Sequence, residues 1–450
     1  MSLLVESARL KSFLKYIVLA GGYGGRLQAH CDPTLNPHAM SKTIAAVGAK
    51  RCIEYPLEAA RKLAEDPKSE VHVAVWHLAS TVQQVISDVN IQYVTERYQD
   101  PLDTAGPVAS ITKRLGWDAE ADNIIIVQSG DIVHNVPLED VVALHLQNHA
   151  AATLVATPVP WDQVARFGTI QLEGMPKRRS YTSEMEFEQA VRSWILHRQG
   201  KTLRLSQFVE KADRASCFSN LSSVSIYAFN VAVIRSLMNM MTKKGKDEPL
   251  FPDQYKGGPV PFSDWGHHIF PWFLKRAQRG MFPFYTYVLP EKYPSGTRSY
   301  FRDIGLPEDI RLANMDALDG KFDAGFGSFD TVEWGWRGKN THIDETAKVS
   351  NSFIGNDCVI GKNVRLDHTV VGSNTIIEEE SRIYRSVLYP RPHSREESNR
   401  IGRGTRMLDS LFLGVETTPG SLIEREMVWT PSGGVSRLPL TGTSVEKNES

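Results

Sequence analysis

The chain has 450 residues, a formal net charge of −1 and a hydrophobic fraction of 41%. That length bounds it to roughly two or three domains, and the near-neutral balance excludes a protein that coats nucleic acid. Its four cysteines, Cys31, Cys52, Cys217 and Cys358, stand far apart with no C-x-x-C pair, so neither a zinc site nor a disulfide framework is expected and a reducing cytoplasm fits.

The first element is Tyr16-Ile-Val-Leu-Ala-Gly-Gly-Tyr-Gly-Gly-Arg-Leu27, an apolar run that breaks into four glycines and an arginine. The run is too short for a secretory signal or a membrane span, so no membrane association is expected. It predicts a buried parallel strand feeding a phosphate-cradling loop, because backbone N–H groups can wrap a polyphosphate only where no Cβ intervenes. Arg26 adds a cationic fork for phosphate oxygens. No Gly-Lys-Ser/Thr closes the loop and no G-x-G-x-x-G is present, so it is neither a P-loop nor a dinucleotide fingerprint.

Gln28 to Ser41, polar and marked by Pro33 and Pro37, reads as a mobile connection. Lys42 follows, just before a short apolar strand, a turn and a helix through about Leu63. Strand Val71 to Trp76 and helix Ser80 to Asp88 make a second βα unit, with Val82, Val85 and Ile86 at helical spacing. Strand Ile91 to Val94 precedes the loop Pro101-Leu-Asp-Thr-Ala-Gly106, which opens a helix containing Val108 and Ile111. Strand Asn123 to Val127 is continuously apolar, as a parallel strand covered on both faces is, and ends in Gln128-Ser129-Gly130-Asp131. This alternation implies an α/β fold with a mostly parallel, Rossmann-like sheet, whose ligands bind at the carboxyl ends of its strands. The glycine loop and Asp131 both sit at such ends.

Further strands are expected from Ala152 to Val159 and from Phe167 to Leu172. Glu173 to Lys201 shows no sustained apolar period beyond Val191, Trp194 and Ile195 and reads as an inserted, mostly solvated element. Phe208-Val-Glu-Lys211, strand Leu221 to Phe229, a Lys-, Gly- and Pro-rich insertion from Lys243 to Pro261 and strand Phe282 to Leu289 follow. They lead to Tyr300-Phe-Arg-Asp303-Ile-Gly-Leu-Pro and a helix through Leu318. Apolar residues then recur at a period of six: Ile354, Ile360, Leu366; Val371, Ile377, Ile383; Ile401, Met407, Leu413. Several precede glycine, the hexapeptide signature of a parallel β-helix, with Pro390 to Asn399 thrown out as a loop. The expected division is 1–325, then a linker and β-helix over 326–440, then a polar tail over 441–450.

Taken in order, the glycine loop with Arg26, Lys42, Ser-Gly-Asp131, the Glu210-Lys211 pair, Arg302-Asp303-Ile-Gly-Leu-Pro307 and the hexapeptide region resemble the sugar-1-phosphate nucleotidyltransferases. Within them the chain is most similar to the bacterial ADP-glucose pyrophosphorylases. The resemblance implies a nucleotidyltransferase domain followed by a left-handed β-helix. It also implies condensation of a nucleoside triphosphate, ATP, with a sugar 1-phosphate, glucose 1-phosphate, to give a nucleotide sugar and pyrophosphate. By the same resemblance Gly21, Gly22, Gly24 and Gly25 cradle the triphosphate, Arg26 neutralises the departing pyrophosphate, and Lys42 holds phosphate charge at the reacting centre. Asp131 and Asp303 match the carboxylates that bind Mg²⁺, an ion content with one or two carboxylates beside waters and phosphates. Glu210 and Lys211 hold the sugar and its phosphate, Gly168 and Ser223 line the sugar pocket, and Thr104 lies near base and ribose.

Three positions depart from the family pattern: Thr43 stands where proline follows the lysine, Asp103 where glycine precedes Thr104, and Ser225 where glycine precedes Ile226-Tyr-Ala-Phe229. Asp103 would repel a triphosphate unless turned away or used on a ribose hydroxyl, which leaves the base open; GTP with mannose 1-phosphate is the same-class alternative. A silent regulatory subunit would have no need of Arg26, Lys42, Asp131, Lys211 and Asp303 together, and an acyltransferase site in the β-helix would have His368 as its lone candidate for a catalytic histidine. The stacked coils are expected to mediate homo-oligomerisation, a tetramer being one outcome. Arg391, Arg395, Arg400 and Arg403 are the candidate meeting point for an anionic metabolite effector.

Overall fold

The computed structural model describes residues 13–33, 39–86, 91–95, 104–242, 264–277, 280, 282–389, 399–413, 416–429 and 436–440. Strand Leu14–Leu19 lies between two parallel neighbours, Val71–Val75 on one side and Ile124–Ser129 on the other. Tyr16, Ile17 and Val18 are fully buried, because apolar layers cover both faces of the sheet. Gln92–Thr95 extends the parallel run beyond Val71–Val75. The chain leaves the central strand toward Val71 and returns later on the Ile124 side, so strand order reverses between Leu19 and Ser129. The crevice beyond the carboxyl ends at such a reversal is where open α/β sheets bind ligands.

The sheet has nine strands and continues through Leu221–Asn230, Ala152–Pro158, Phe284–Val288, Thr202–Glu210 and Gly168–Leu172. Antiparallel ladders enter with Leu221–Asn230. Within that strand Ser225 has φ +59°, and the pairing register shifts around it. A left-handed backbone here explains why glycine is at ease at this position and why a small polar residue is tolerated.

One segment differs from the sequence reading, and a second adds a buried anchor to it. Gln28 to Ser41 is not simply a mobile connection: Gly25–His30 forms a 3₁₀ helix, His30 is buried, and Met40 N donates to the His30 carbonyl at 2.6 Å. Residues 34–38 within it lie outside the described residues. Glu173 to Lys201 is mostly exposed, as expected, but helix Glu184–Leu196 anchors it by burying Phe187, Val191 and Ile195. Those residues fall four apart, a helical stripe that Phe187 extends by one turn beyond the apolar residues legible in the sequence. The insertion Lys243 to Pro261, Asp103 and the tail 441–450 lie outside the described residues.

After helix Pro307–Leu318 the chain forms three stacks of short parallel strands. One runs through Gly335–Arg337, Ser352–Ile354, Val370–Val371, Val387–Tyr389, Leu411–Leu413 and Glu426–Trp429. The second stack holds His342–Ile343 to Asn399–Ile401, and the third Lys348–Ser350 to Leu422–Glu424. Successive levels are 17 residues apart in the uninterrupted part. The arrangement is compatible with a parallel β-helix. Left-handed corners recur in columns, Asn340, Asp357 and Asn374 in one and Asn351, His368, Arg385, Asp409 and Arg425 in another. Ile354, Ile360, Leu366, Val371, Ile377, Ile383, Ile401 and Met407 all point inward, but on strand Leu411–Leu413 the inward residue is Phe412, not Leu413. Leu413 faces the layer shared with helix Pro307–Leu318. No helix among the described residues is long and apolar enough to cross a membrane.

The helix Glu184–Leu196 generates a test. Phe187→Ala is expected to lower unfolding stability by about 3–5 kcal/mol in urea titration, whereas Met185→Ala on the same helix, 69% exposed, is expected to stay within about 0.5 kcal/mol of wild type.

Candidate active site

The site begins where Leu19 pairs with Ser129. Gly130 N donates to the Leu19 carbonyl at 2.8 Å, which sets the start of the glycine loop beside Asp131. Gly22, Gly25 and Arg26 are exposed while Gly21 and Gly24 are half-buried, so the loop opens to solvent. A Cβ on Gly22 would stand 2.8 Å from Lys42 Cε. Lys42 therefore lies across the loop, and only glycine lets it approach so closely.

Lys42 Nζ makes a short ion pair with Asp131 Oδ2, and the Ser129 hydroxyl donates to Asp131 Oδ1. Burial pulls the Lys42 pKa down, but the charge and hydrogen bond of Asp131 outweigh it and hold the ammonium above its usual range. Burial pushes Asp131 up, and Lys42 with Ser129 more than reverses this. Asp303 reaches the same place through a short antiparallel ladder in which Phe301–Asp303 pairs with Ile132–His134, Asp303 opposite Ile132. Ile304 N donates to the Asp131 carbonyl at 2.9 Å. Burial and then the negative charge of Asp131 push the Asp303 carboxyl up to about 6, against the opposing charges of Lys42 and Arg166.

A Cβ on Gly305 would lie 2.6 Å from Asp303 Oδ2 and 3.3 Å from the Nη2 atoms of both Arg26 and Arg166, so the three side chains converge there. Arg166 and Asp309 were missed in the sequence. Arg166 bonds Asp303 Oδ2 at 3.2 Å and both oxygens of Asp309. Asp309 also accepts from Leu306 N at 2.8 Å, and a carboxylate three residues into a helix that begins with Leu306-Pro307 is the available signal. Arg166 carried no such signal beyond standing just before Phe167-Gly168.

A second cluster forms around Glu210. Gly168 pairs with Glu210 across the strands, and Cβ atoms on Gly168 or Gly266 would meet Glu210 Oε2 at 2.8 and 2.3 Å. Lys211 Nζ stands 3.9 Å from Glu210 Oε1 and is more than half exposed. Burial raises the Glu210 pKa, with Lys211 opposing and Asp264 adding to the rise. Lys211 has φ +51°, and its N–H donates to the Phe167 carbonyl at 3.0 Å. Ser223 is buried with its hydroxyl 3.3 Å from Tyr227 Oη. Thr104 donates to Asp264 Oδ2 at 3.2 Å and accepts from Trp265 N at 3.0 Å, which joins it to this cluster through Gly266. Of the C-terminal arginines, Arg400 pairs with Glu378 and Arg403 with Glu379 and Glu380; Arg391 and Arg395 lie outside the described residues.

A glycine loop and a half-buried lysine with two carboxylates, set at the order reversal of an α/β sheet, define a nucleotide-handling α/β protein. The chain belongs to the nucleotidyl transferase family, whose sequence model matches residues 15–319 and so spans every site residue above. The glucose-1-phosphate adenylyltransferase of Desulfitobacterium hafniense is 27% identical over 240 residues, 52% of this chain and 46% of that relative. The protein of the same name from Bacillus cytotoxicus is 24% identical over 306 residues, 67% of this chain and 62% of the relative. The chain thus spans about half the length of the first and about three-fifths of the second.

The raised Asp303 carboxyl gives a signed prediction. An acid with pKa about 6 in the fold and about 3.9 unfolded costs no stability below pH 4, and as pH rises through 6 the cost grows to about 3 kcal/mol. In metal-free buffer Asp303→Asn is therefore expected to melt higher than wild type at pH 8 and equally at pH 4, as followed by circular dichroism.

Proposed function

We propose that the protein condenses a nucleoside triphosphate with a sugar 1-phosphate, releasing pyrophosphate, and that ATP and glucose 1-phosphate are the pair. The observation that carries this reading is the Lys42–Asp131–Asp303 set beside the glycine loop. Glycines 21, 22, 24 and 25 present backbone N–H groups to the triphosphate, and Arg26 sits at the exposed rim where pyrophosphate leaves. Lys42 holds charge at the attacked phosphorus. Glu210, Lys211, Gly168 and Ser223 hold the sugar 1-phosphate, whose oxygen is already ionised, so the step needs orientation and charge neutralisation and no general base. Thr104, tied to Asp264, stands on the base and ribose side.

Asp131 and Asp303 are the residues that would hold Mg²⁺. Among the described residues no group of three metal-ligating side chains exists, but Asp303 Oδ1 accepts no hydrogen bond from them, and the charge of Asp131 adds to the cost of ionising the half-buried Asp303. A divalent cation suits such a pair; bound there, it supplies positive charge to the phosphates that meet between nucleotide and sugar.

The finer organisation is proposed with it: a catalytic domain to about residue 325, a left-handed hexapeptide β-helix to 440, homo-oligomerisation through the stacked coils and a cytoplasmic setting. The local pairing of Arg400 and Arg403 with glutamates weighs against a free basic loop for an anionic effector at those two residues.

Pyrophosphate release with Mg²⁺, measured across nucleoside triphosphates against glucose, mannose, galactose and glucosamine 1-phosphates, is expected to single out ATP with glucose 1-phosphate. A GTP and mannose 1-phosphate optimum would shift the substrates within the family. Silence across the grid from folded protein would favour the regulatory-subunit alternative. With the active pair, Lys42→Ala and Asp131→Asn are each expected to lower kcat by at least about 100-fold, in line with loss of a preorganised charge at a reacting phosphate.

A further inference from the structure

Asp131 has both carboxylate oxygens engaged, one by Lys42 and one by Ser129. Asp303 has only Oδ2 engaged, by Arg166 Nη2 at 3.2 Å, and Oδ1 accepts nothing among the described residues. Arg166 is itself fixed, because its fork sits on both oxygens of Asp309, Nη1 to Oδ1 at 3.2 Å and Nη2 to Oδ2 at 2.5 Å. Asp309 is in turn held by the N–H groups of Gly305 at 3.2 Å and Leu306 at 2.8 Å. A fork anchored at one carboxylate has little freedom left when it touches a second, so the direction of Asp303 is set by Arg166.

Resting on the metal role of Asp303 proposed above, we infer that Arg166 is the positioning residue of the cation site: it fixes Oδ2 of Asp303 and so presents Oδ1 toward Asp131. Arg166 does not touch the reacting atoms. It stands two residues before Gly168, whose backbone abuts Glu210, and the Phe167 carbonyl accepts from Lys211 N. The segment that aims the metal carboxylate is therefore also the wall of the sugar pocket. It lines, with Asp303 and Asp309, a cavity of about 330 Å³.

The test is Mn²⁺ binding to the full chain, read as loss of the free-ion paramagnetic resonance signal, for wild type, Arg166→Met, Arg166→Lys and Asp309→Asn. Partners that orient a ligand typically change metal affinity 10- to 100-fold. Arg166→Met is expected to weaken Mn²⁺ binding at least about tenfold, with Arg166→Lys, which keeps the charge but not the fork, recovering part of the loss. Asp309→Asn, which leaves Arg166 without its anchor but keeps the amide oxygen for the helix start, is expected to fall between. In turnover with Mg²⁺, the metal activation constant is expected to rise while KM for the triphosphate stays within about twofold, a split that general destabilisation would not give. Binding by Arg166→Met equal to or tighter than wild type overturns the inference, the tighter case meaning that Arg166 competes with the cation. If Arg166→Met does not fold, equal affinity in wild type, Arg166→Lys and Asp309→Asn overturns it instead. Wild type that binds no Mn²⁺ overturns the metal role of Asp303 and this inference together, whereas wild type that binds Mn²⁺ with unaffected variants overturns this inference alone.

Discussion

Two carboxylates held at one point, one buried and one half-buried, are the constraint on which the rest of this molecule depends. Asp131 and Asp303 come from distant segments, and the backbone ladder between Ile132–His134 and Phe301–Asp303 leaves them no choice of neighbour. Two unit charges about 4 Å apart at a protein surface repel by about 4 kcal/mol, so the fold must surround them with cations or leave one protonated. It does both in part. Lys42 and Arg166 are placed against them, and Asp303 still keeps its proton to an unusually high pH in the absence of metal. The site is thus under electrostatic tension that a substrate complex can relieve.

The helix Pro307–Leu318 links this centre to the stacked strands. Its first turn holds Asp309 under Arg166, and its buried face carries Arg311 and Asn314. Arg311 bonds Glu308, the Arg385 carbonyl and Asp409. Asn314 accepts from Gly48 N at 2.9 Å and donates to Tyr389 Oη at 2.7 Å. One asparagine therefore ties the hairpin after Lys42 to the C-terminal stack, within an apolar layer drawn from both parts of the chain. A buried polar network fully satisfied in this way fixes one arrangement of its elements.

Much of this was legible in the sequence for a physical reason. Strands buried on both faces are continuously apolar over their buried stretches, as residues 16–18 and 124–127 are, and a loop on which the Lys42 side chain lies this closely is favoured by the lack of a Cβ, as at Gly22. What could not be read were contacts set only by tertiary approach. Arg166 looks like any surface arginine until Asp309 is brought beneath it. In helix Glu184–Leu196 the buried stripe has only Phe187, Val191 and Ile195, too short a run to set its period apart from the mixed residues around it. At Leu413 the period of six failed by one residue, because two adjacent side chains on a coil strand serve opposite faces and the apolar letter alone does not say which.

The stack has one level with a large change of spacing. Arg385 and Asp409 are 24 residues apart, against 17 at the levels before it and 16 at the level after it, yet Ile383 still pairs with Met407 and Leu388 with Phe412. The extra residues fall between Tyr389 and Asn399 and leave the ladders on both sides in register. Because the ladders keep register across a change in chain length, this point behaves as a socket. A fluorescent reporter or a whole folded module could be threaded into it while the coils above and below continue to stack, making the protein a carrier whose scaffold and cargo are specified independently.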